Sequence, residues 1–373
     1  MSEKILSIIV PSYNMEKYLS KCLGSLVLTD RSLQAKLDII VVNDGSKDRT
    51  SEIAHEWGRK IGNSGGGGTV PEVREYECSN GTTAKITDYG IVRVIDKPNA
   101  NYGSCINAAL PVAQGVFVKV LDADDSFDTS TFMGYVKFLE SVATSRCLDL
   151  VINDRVIVDE MGKTVKECSF PLEPNQIFPA VRFFESDGYY PIHTIAYRTD
   201  LLREMGYCQL EGFSYTDSEW SLLPMGRVET VGYYPGMVYR YLYGRAGQTM
   251  DPNVRRKNYL THLKIVLHMA SFLKNCNGFV SKTAEAFVRR HFVAMSENAY
   301  RILIFNIGST AFAELNEFDR QLKVYSPEVY ETLGDKVYSR RLSFHFIKAF
   351  RCSLMSLKLM VPICRLYSRV ISK

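Results

Sequence analysis

The first 125 residues alternate between two hydrophobic rhythms. Short continuous apolar runs, ILSIIV (5–10), LDIIVV (37–42), IVRVI (91–95) and GVFVKVL (115–121), are each closed by polar residues and predict buried β-strands. Between them, MEKYLSKCLGSLVL (15–28), TSEIAHEWGRK (50–60) and a Gly- and Ala-containing stretch near 103–114 predict helices. Strands apolar on both faces that alternate with helices imply an α/β fold, a mostly parallel sheet with helices on both faces. Ligands of such sheets bind beyond the carboxyl ends of the strands. Polar clusters follow all four runs: PSYN, NDGSKD, DKPNANYG and DADD. They converge on one edge of the sheet and predict a site there.

Residues 61–90 break the rhythm. They begin with four glycines and read as an insertion, a flexible loop with a small hairpin around SNGT. From 149 to about 245 the pattern is mixed, with a hairpin turning at Met161–Gly162 and Tyr-rich segments after it. Beyond Pro252 it becomes helical, with candidates at 255–274, 281–305 and 341–371. This organisation predicts a domain over residues 1–250 and a helical C-terminal region over 251–373.

The fourth strand ends in KVLDADDSFD, which places Asp122, Asp124, Asp125 and Asp128 together. Carboxylates that crowd in this way need positive charge. On an extended backbone residues i and i+2 point the same way, so Asp122 and Asp124 can face one ligand. Hard oxygen donors at this spacing suit Mg²⁺ or Mn²⁺, ions that complete their shells with substrate phosphates. Asp128, before TSTF, suits a helix N-cap. At the second strand's end Asp44 can accept from a nucleobase N–H, while Gly45 permits close backbone approach. Tyr13 can stack on a base. Each feature alone has a plainer reading as a turn, a cap or packing; their shared placement on one edge is what those readings leave unexplained.

VPSYN, VVNDGSKDRT, NANYGSCINAAL and VLDADD, in this order and spacing, resemble family 2 glycosyltransferases of the GT-A fold. The resemblance covers residues 5 to about 128 closely and extends more loosely to about 250. It implies transfer of a sugar from a nucleotide diphosphate donor to an acceptor hydroxyl, with inversion at the anomeric carbon. By this resemblance Pro11, Tyr13 and Asp44 hold the base, most often uracil. Asn99, Gly103 and Asn107 match the pattern after the third strand, and Asn101 stands where similar sequences often have glycine, so either Asn99 or Asn101 faces the nucleotide. Asp122 would contact the ribose with Ala123 beside it, and Asp124 would ligate the metal bridging the diphosphate.

An inverting transfer also needs a carboxylate to take the acceptor's proton. The family places this base in a Glu-Asp pair at a helix start, and FSYTDSEWSLL is the matching stretch. Asp217 takes the base position, Thr216 replaces the usual glutamate, and Glu219 is a substitute candidate. Downstream, YRYLYGRAGQTM resembles a segment of polysaccharide-building members, so that Arg245, Gln248 and Thr249 would close over the diphosphate. His193 in PIHTIAYRTDLL is a further acceptor-side candidate, with a structural histidine as its alternative.

Charge refines the partners. From residue 339 onward there are eight Lys/Arg and no acid, which against +4 for the whole chain leaves the preceding residues at about −4. A mildly acidic body argues against nucleic acid as a partner. In the tail, Lys348, Arg351, Lys358, Arg365 and Arg369 share one helical quadrant, which suits peripheral contact with an anionic membrane and a glycan or lipid-linked acceptor; a helix packed on the body is the alternative. No stretch approaches 18 uninterrupted apolar residues, and the N-terminus reads as a first strand rather than a signal peptide. The nine cysteines have no CxxC and no ligand spacing, as expected of buried thiols in a reducing cytoplasm. The alternatives to a transferase are a non-catalytic nucleotide-binding scaffold and a sugar nucleotidyltransferase. The second of these expects a Gly-rich loop where VPSYN stands.

Overall fold

The computed structural model describes residues 3–62, 70–143, 148–185, 188–245, 259–276, 278–305, 311–333 and 346–351. The chain divides into two compact units, Met1–Gln248 and Thr249–Lys373.

The first unit is built on one sheet. Its strands are β1 (Leu6–Ser12), β2 (Leu37–Asp44), β3 (Glu72–Glu77), β4 (Thr83–Asp88), β5 (Val92–Lys97), β6 (Phe117–Val120), β7 (Ser126–Phe127), β8 (Leu150–Val158), β9 (Thr164–Cys168), β10 (Ile177–Pro179), β11 (Ile195–Arg198) and β12 (Thr230–Leu242). The order is β10-β12-β8-β11-β6-β1-β2-β5-β4-β3, with β7 on β12 and β9 on β8. The four apolar runs form its parallel centre, β6-β1-β2-β5, with Ile8 level with both Ile39 and Lys119. Every residue of β1 and β2 is buried, as a sheet covered on both faces requires.

The mostly parallel sheet predicted from sequence is therefore mixed at its flanks. β11 runs antiparallel to β6 and β8, while β12 returns parallel to β8. Among the flanking strands β7, β10 and β11 are only two to four residues long, so no continuous apolar run betrays them.

The hairpin expected around SNGT in the 61–90 segment is present. This hairpin, β3 with β4, continues the main sheet through β5 and turns at Cys78–Thr82, where Gly81 adopts φ 76°. A left-handed φ at this point favours glycine. Residues 63–69 of the glycine-rich stretch lie outside the described residues.

At the amino-terminal edge of the parallel strands, Asp38 is wholly buried. Arg93 pairs with it, Ser7 Oγ donates to it at 2.5 Å and the Gln114 N–H at 2.9 Å. Every lone pair direction on that side is used, which makes the group a structural anchor rather than a site.

The second unit is helical: Tyr259–Asn275, Lys282–Phe305, Ala311–Tyr325, Pro327–Thr332 and Phe346–Arg351. The third and fourth of these were not predicted. Arg351, for which the sequence leaves membrane contact and helix packing as alternatives, donates to Asp319 at 2.9 Å and stacks on the Tyr330 ring. Half-buried among these partners, it serves helix packing. Lys348 is exposed, and Lys358, Arg365 and Arg369 lie outside the described residues. No helix among the described residues is long and apolar enough to cross a membrane.

Candidate active site

The carboxyl ends of β1, β2, β5 and β6 bring the four polar clusters to one edge, and β8, β11 and β12 add a second wall. The turn after β6 is closed by the Asp125 N–H donating to the Asp122 carbonyl at 2.9 Å. This turn separates the three acids by environment. Asp125 is buried; the Leu242 N–H donates to one oxygen at 2.7 Å and the Tyr239 hydroxyl to the other at 2.6 Å. Burial and the charges of Asp124 and Asp122 push its pKa well above the usual value. Asp125 is thus an anchor that ties the acid turn to β12.

Asp122 and Asp124 keep their charge demand. Burial raises the Asp122 carboxyl, but His193, the Tyr102 hydroxyl and Arg245 outweigh it and hold its pKa below the ordinary range. Tyr102 donates to it at 2.7 Å, and His193 Nε2 stands 3.6 Å from its second oxygen. Asp124 is raised by burial and by Asp122, against Arg245, which pairs with it. The Arg245 guanidinium also lies 5.5 Å from the Tyr18 ring centroid. Gln248 and Thr249, expected beside it, lie outside the described residues.

His193 is the hub of the second wall. It packs between Tyr239 and Tyr241, with ring centroids 4.8 Å away in each case, and Arg155 Nη1 lies 2.8 Å from its Nδ1. A guanidinium only donates, so Nδ1 accepts and the proton of a neutral His193 sits on Nε2, facing Asp122. Beneath it the buried Lys119 ammonium donates to the His193 carbonyl at 2.9 Å and to Asn153 at 2.8 Å. Burial drives the Lys119 pKa well down.

The ligand atoms of Asp122, Asp125 and His193 lie within 4.8 Å of one another, a grouping able to hold a metal. The bonding narrows that set. Both Asp125 oxygens are taken, and Nε2 of His193 carries its proton while Arg155 holds Nδ1. Asp122 and Asp124, whose hard oxygens each attract an internal N–H donor or cation, fit Mg²⁺ or Mn²⁺. Asp124 stands outside the 4.8 Å grouping, turned to Arg245.

Asp217 begins the helix Asp217–Leu222. Its side chain reaches solvent, within electrostatic reach of His193 and Asp122. The surrounding protein raises its pKa, with His193 opposing and Asp122 adding to the rise. The same field reaches Tyr102 and Tyr189. Tyr189, which burial together with Asp217 pushes to about 12, lines this side with Arg155. Glu219, the substitute base, is buried and accepts from the Leu210 N–H at 2.8 Å, so it holds the loop instead. Thr216 is buried too, and its hydroxyl has no hydrogen-bond partner. Tyr215, just before it, adopts φ 69°, a left-handed strain of the kind that clusters at functional positions.

On the nucleotide side Tyr13 is exposed, and Pro11 is buried near the end of β1. Asp44 is buried; Lys97 pairs with one of its oxygens, which also accepts from the Ala100 N–H at 3.0 Å. Gly45 has φ 68°, and a Cβ there would meet the Asn99 nitrogen at 2.8 Å. The Asn99 amide in turn donates to the Asp44 carbonyl at 2.9 Å. Asn101 has φ 66°, which gives a physical reason for the glycine common there in similar sequences. Two expected nucleotide contacts become packing. A Cβ on Gly103 would strike the Leu210 carbonyl at 2.3 Å, and the Asn107 amide is spent on Gln209 and Glu211. Ala123 is likewise buried, in the hydrophobic core. Sequence reasoning missed Tyr102, Lys119, Arg155, Tyr189 and Tyr239, which act through contacts with distant segments.

Residues 7–65 match the model of the family described as glycosyl transferase family 2. The chain is 25% identical over 201 residues to the uncharacterized glycosyltransferase MG025 of Mycoplasma genitalium, covering 52% of this chain and 57% of that one. It is 26% identical over 195 residues to the poly(ribitol-phosphate) beta-N-acetylglucosaminyltransferase TarS of Staphylococcus aureus, covering 50% of this chain and 29% of TarS. The chain thus spans about half the length of the first relative and less of the second. The crystal structure of S. aureus TarS 1–349 with UDP-GlcNAc superposes with TM-score 0.53 at 18% identity, covering 88% of this chain and 91% of that one; this likeness is one of fold. The motif series thus stands at the carboxyl edge of a sheet whose fold is shared with TarS, and residues 7–65 are similar to glycosyl transferase family 2.

Proposed function

We propose that the chain is an inverting, metal-dependent glycosyltransferase of cell-envelope polysaccharide synthesis. It moves a sugar from a nucleotide diphosphate donor, a UDP-sugar, to a hydroxyl of a glycan or lipid-linked acceptor. One observation carries this reading: the four polar clusters, with Asp122 and Asp124 among them, stand together at the carboxyl edge of the parallel strands, and the pKa directions of the acids there fit it. Asp122 is held anionic while Asp217 is raised. Separation of this kind assigns one acid to charge binding and the other to proton transfer.

Tyr13 stacks on the base and Asp44 receives its N–H. Asp122 binds the ribose, and either Asn99 or Asn101 faces the nucleotide. Asp122 and Asp124 would hold Mg²⁺ or Mn²⁺, which supplies Lewis-acid stabilisation to the departing diphosphate. Asp217 takes the acceptor's proton as its oxygen bonds to the anomeric carbon and the bond to the diphosphate breaks. Its raised pKa makes it a better base than an ordinary aspartate. Arg245, Gln248 and Thr249 would close on the phosphates, with Arg245 exchanging Asp124 for them. A cytoplasmic enzyme with a basic tail suits an acceptor at an anionic membrane face. The domain boundary near 250 separates this chemistry from the helical region.

Calorimetric titration of UDP, GDP and ADP, with Mn²⁺ and with chelator, tests the donor side. UDP is expected to bind with metal only, and Asp124→Ala to lose that dependence together with most of the affinity. No binding of any nucleotide by the wild type would overturn the transferase reading in favour of a scaffold.

A further inference from the structure

The hairpin β3–β4 ends in a tip that reaches the loop carrying Asp217. Ser79 Oγ donates to one oxygen of Glu211 and the Asn80 amide to the other, both at 2.7 Å. Glu211 also accepts from the Asn107 amide at 2.8 Å. Three donors from two elements thus converge on one carboxylate, a stronger arrangement than neutral pairs would give.

Glu211 sits at a junction. One residue before it, Leu210 N–H donates to Glu219, on the first turn of the helix that Asp217 begins. One residue after it, Gly212 N–H donates to the Ala100 carbonyl at 2.7 Å, and Ala100 N–H donates to Asp44. The segment is pressed on helix Asn101–Ala109 so closely that Gly103 admits no side chain. From Glu211 the chain runs six residues to Asp217, through the left-handed Tyr215. The hairpin tip is the partner of this segment that comes from the insertion.

We infer that the insertion hairpin is a strut. Its tip holds Glu211, and Glu211, as a positioning residue, sets where the Asp217 carboxylate stands against the acceptor. The inference rests on the transferase reading for its kinetic consequence and on the geometry alone for its mechanical one. A base displaced by about 1 Å loses on the order of a hundredfold in rate, so partial release of the strut should be felt in turnover.

The test is the pair Ser79→Ala/Asn80→Ala on the full chain, two exposed tip positions whose loss removes no core contact. UDP release from a UDP-sugar with acceptor, UDP affinity with Mn²⁺, the unfolding midpoint and hydrogen exchange are measured together. The expected result is kcat lower by about tenfold, UDP affinity within twofold and an unchanged midpoint, with faster exchange confined to residues 209–222 and to the hairpin tip, where Asn80 also accepts from the Thr82 N–H. Asn80→Asp, which sets a second carboxylate against Glu211, should lower kcat similarly, and combining it with Glu211→Gln should restore it. Unchanged exchange over 209–222 overturns the strut, as does a fall in kcat that comes with a lower midpoint and faster exchange throughout the sheet. Wild-type protein that binds UDP but releases none from any UDP-sugar overturns the transferase reading; exchange then still decides the strut by itself.

Discussion

The two ends of the parallel strands treat buried acid in opposite ways. At the amino-terminal edge, Asp38 is enclosed by Arg93, Ser7 and the Gln114 N–H. At the carboxyl edge Asp122, Asp124 and Asp217 share too few internal partners, and two of the three are raised in pKa. A closed ion pair holds strands in register and has nothing left to offer a ligand. An acid cluster that depends on a histidine, a tyrosine hydroxyl and an arginine retains unspent affinity for cations and protons. The contrast separates a structural acid from a chemical one within a single sheet, and the two can be broken separately.

The largest effect is expected at the open end. Asp217→Asn keeps the helix start and removes the basic oxygen, so kcat should fall by about 10²- to 10⁴-fold, the usual contribution of a positioned general base. UDP affinity measured with Mn²⁺ should stay within about twofold, since the proposed role of this side chain is on the acceptor side. The closed end behaves in the reverse manner. Asp38→Ala leaves the buried Arg93 without its counter-ion and should cost about 3–5 kcal/mol in urea unfolding. The protein that remains folded should bind UDP as the wild type does, because Asp38 lies at the far end of β2. A large loss of UDP binding with little loss of stability would erase the distinction between the two edges.

The contrast also explains what the sequence disclosed. Both ends of the sheet lie on continuous apolar runs, so β1, β2, β5 and β6 and the acid turn after them were legible from local pattern. The hairpin turns at Gly81 and Gly162 were legible too, since each has a left-handed glycine. What decides the role of each acid was not. Asp125 reads like Asp124 in the string DADD, yet its partners Tyr239 and Leu242 stand 114 and 117 residues away. Tyr102 meets Asp122 across 20 residues and Arg155 meets His193 across 38. Such pairings carry no periodicity. Asn107 and Gly103 matched a motif whose expected role was nucleotide contact, and only the course of residues 209–211 over the helix reveals their packing role.

The finest division lies within the open end, between Asp122 and Asp217, and His193 stands between them. Its Nε2 side lowers the Asp122 pKa and opposes the rise at Asp217. His193→Ala should therefore move both groups in one direction, upward. Loss of a residue that orients a charge-binding carboxylate typically costs about 10- to 100-fold in affinity or activity, and kcat/KM near neutral pH should fall in that range. The pH profile carries the sharper information. On the proposed mechanism activity needs Asp217 deprotonated, so it should be lost as pH falls through the Asp217 pKa. Raising that pKa shifts the acid limb to higher pH. Metal-supported UDP binding, which needs Asp122 anionic, should weaken on acidification at a higher pH than in the wild type. An acid limb that moves down instead would mean that Asp217 is held up by the imidazole rather than by burial and Asp122. The proton-transfer role would then pass to the His193–Asp122 pair, and the division between the two acids would collapse.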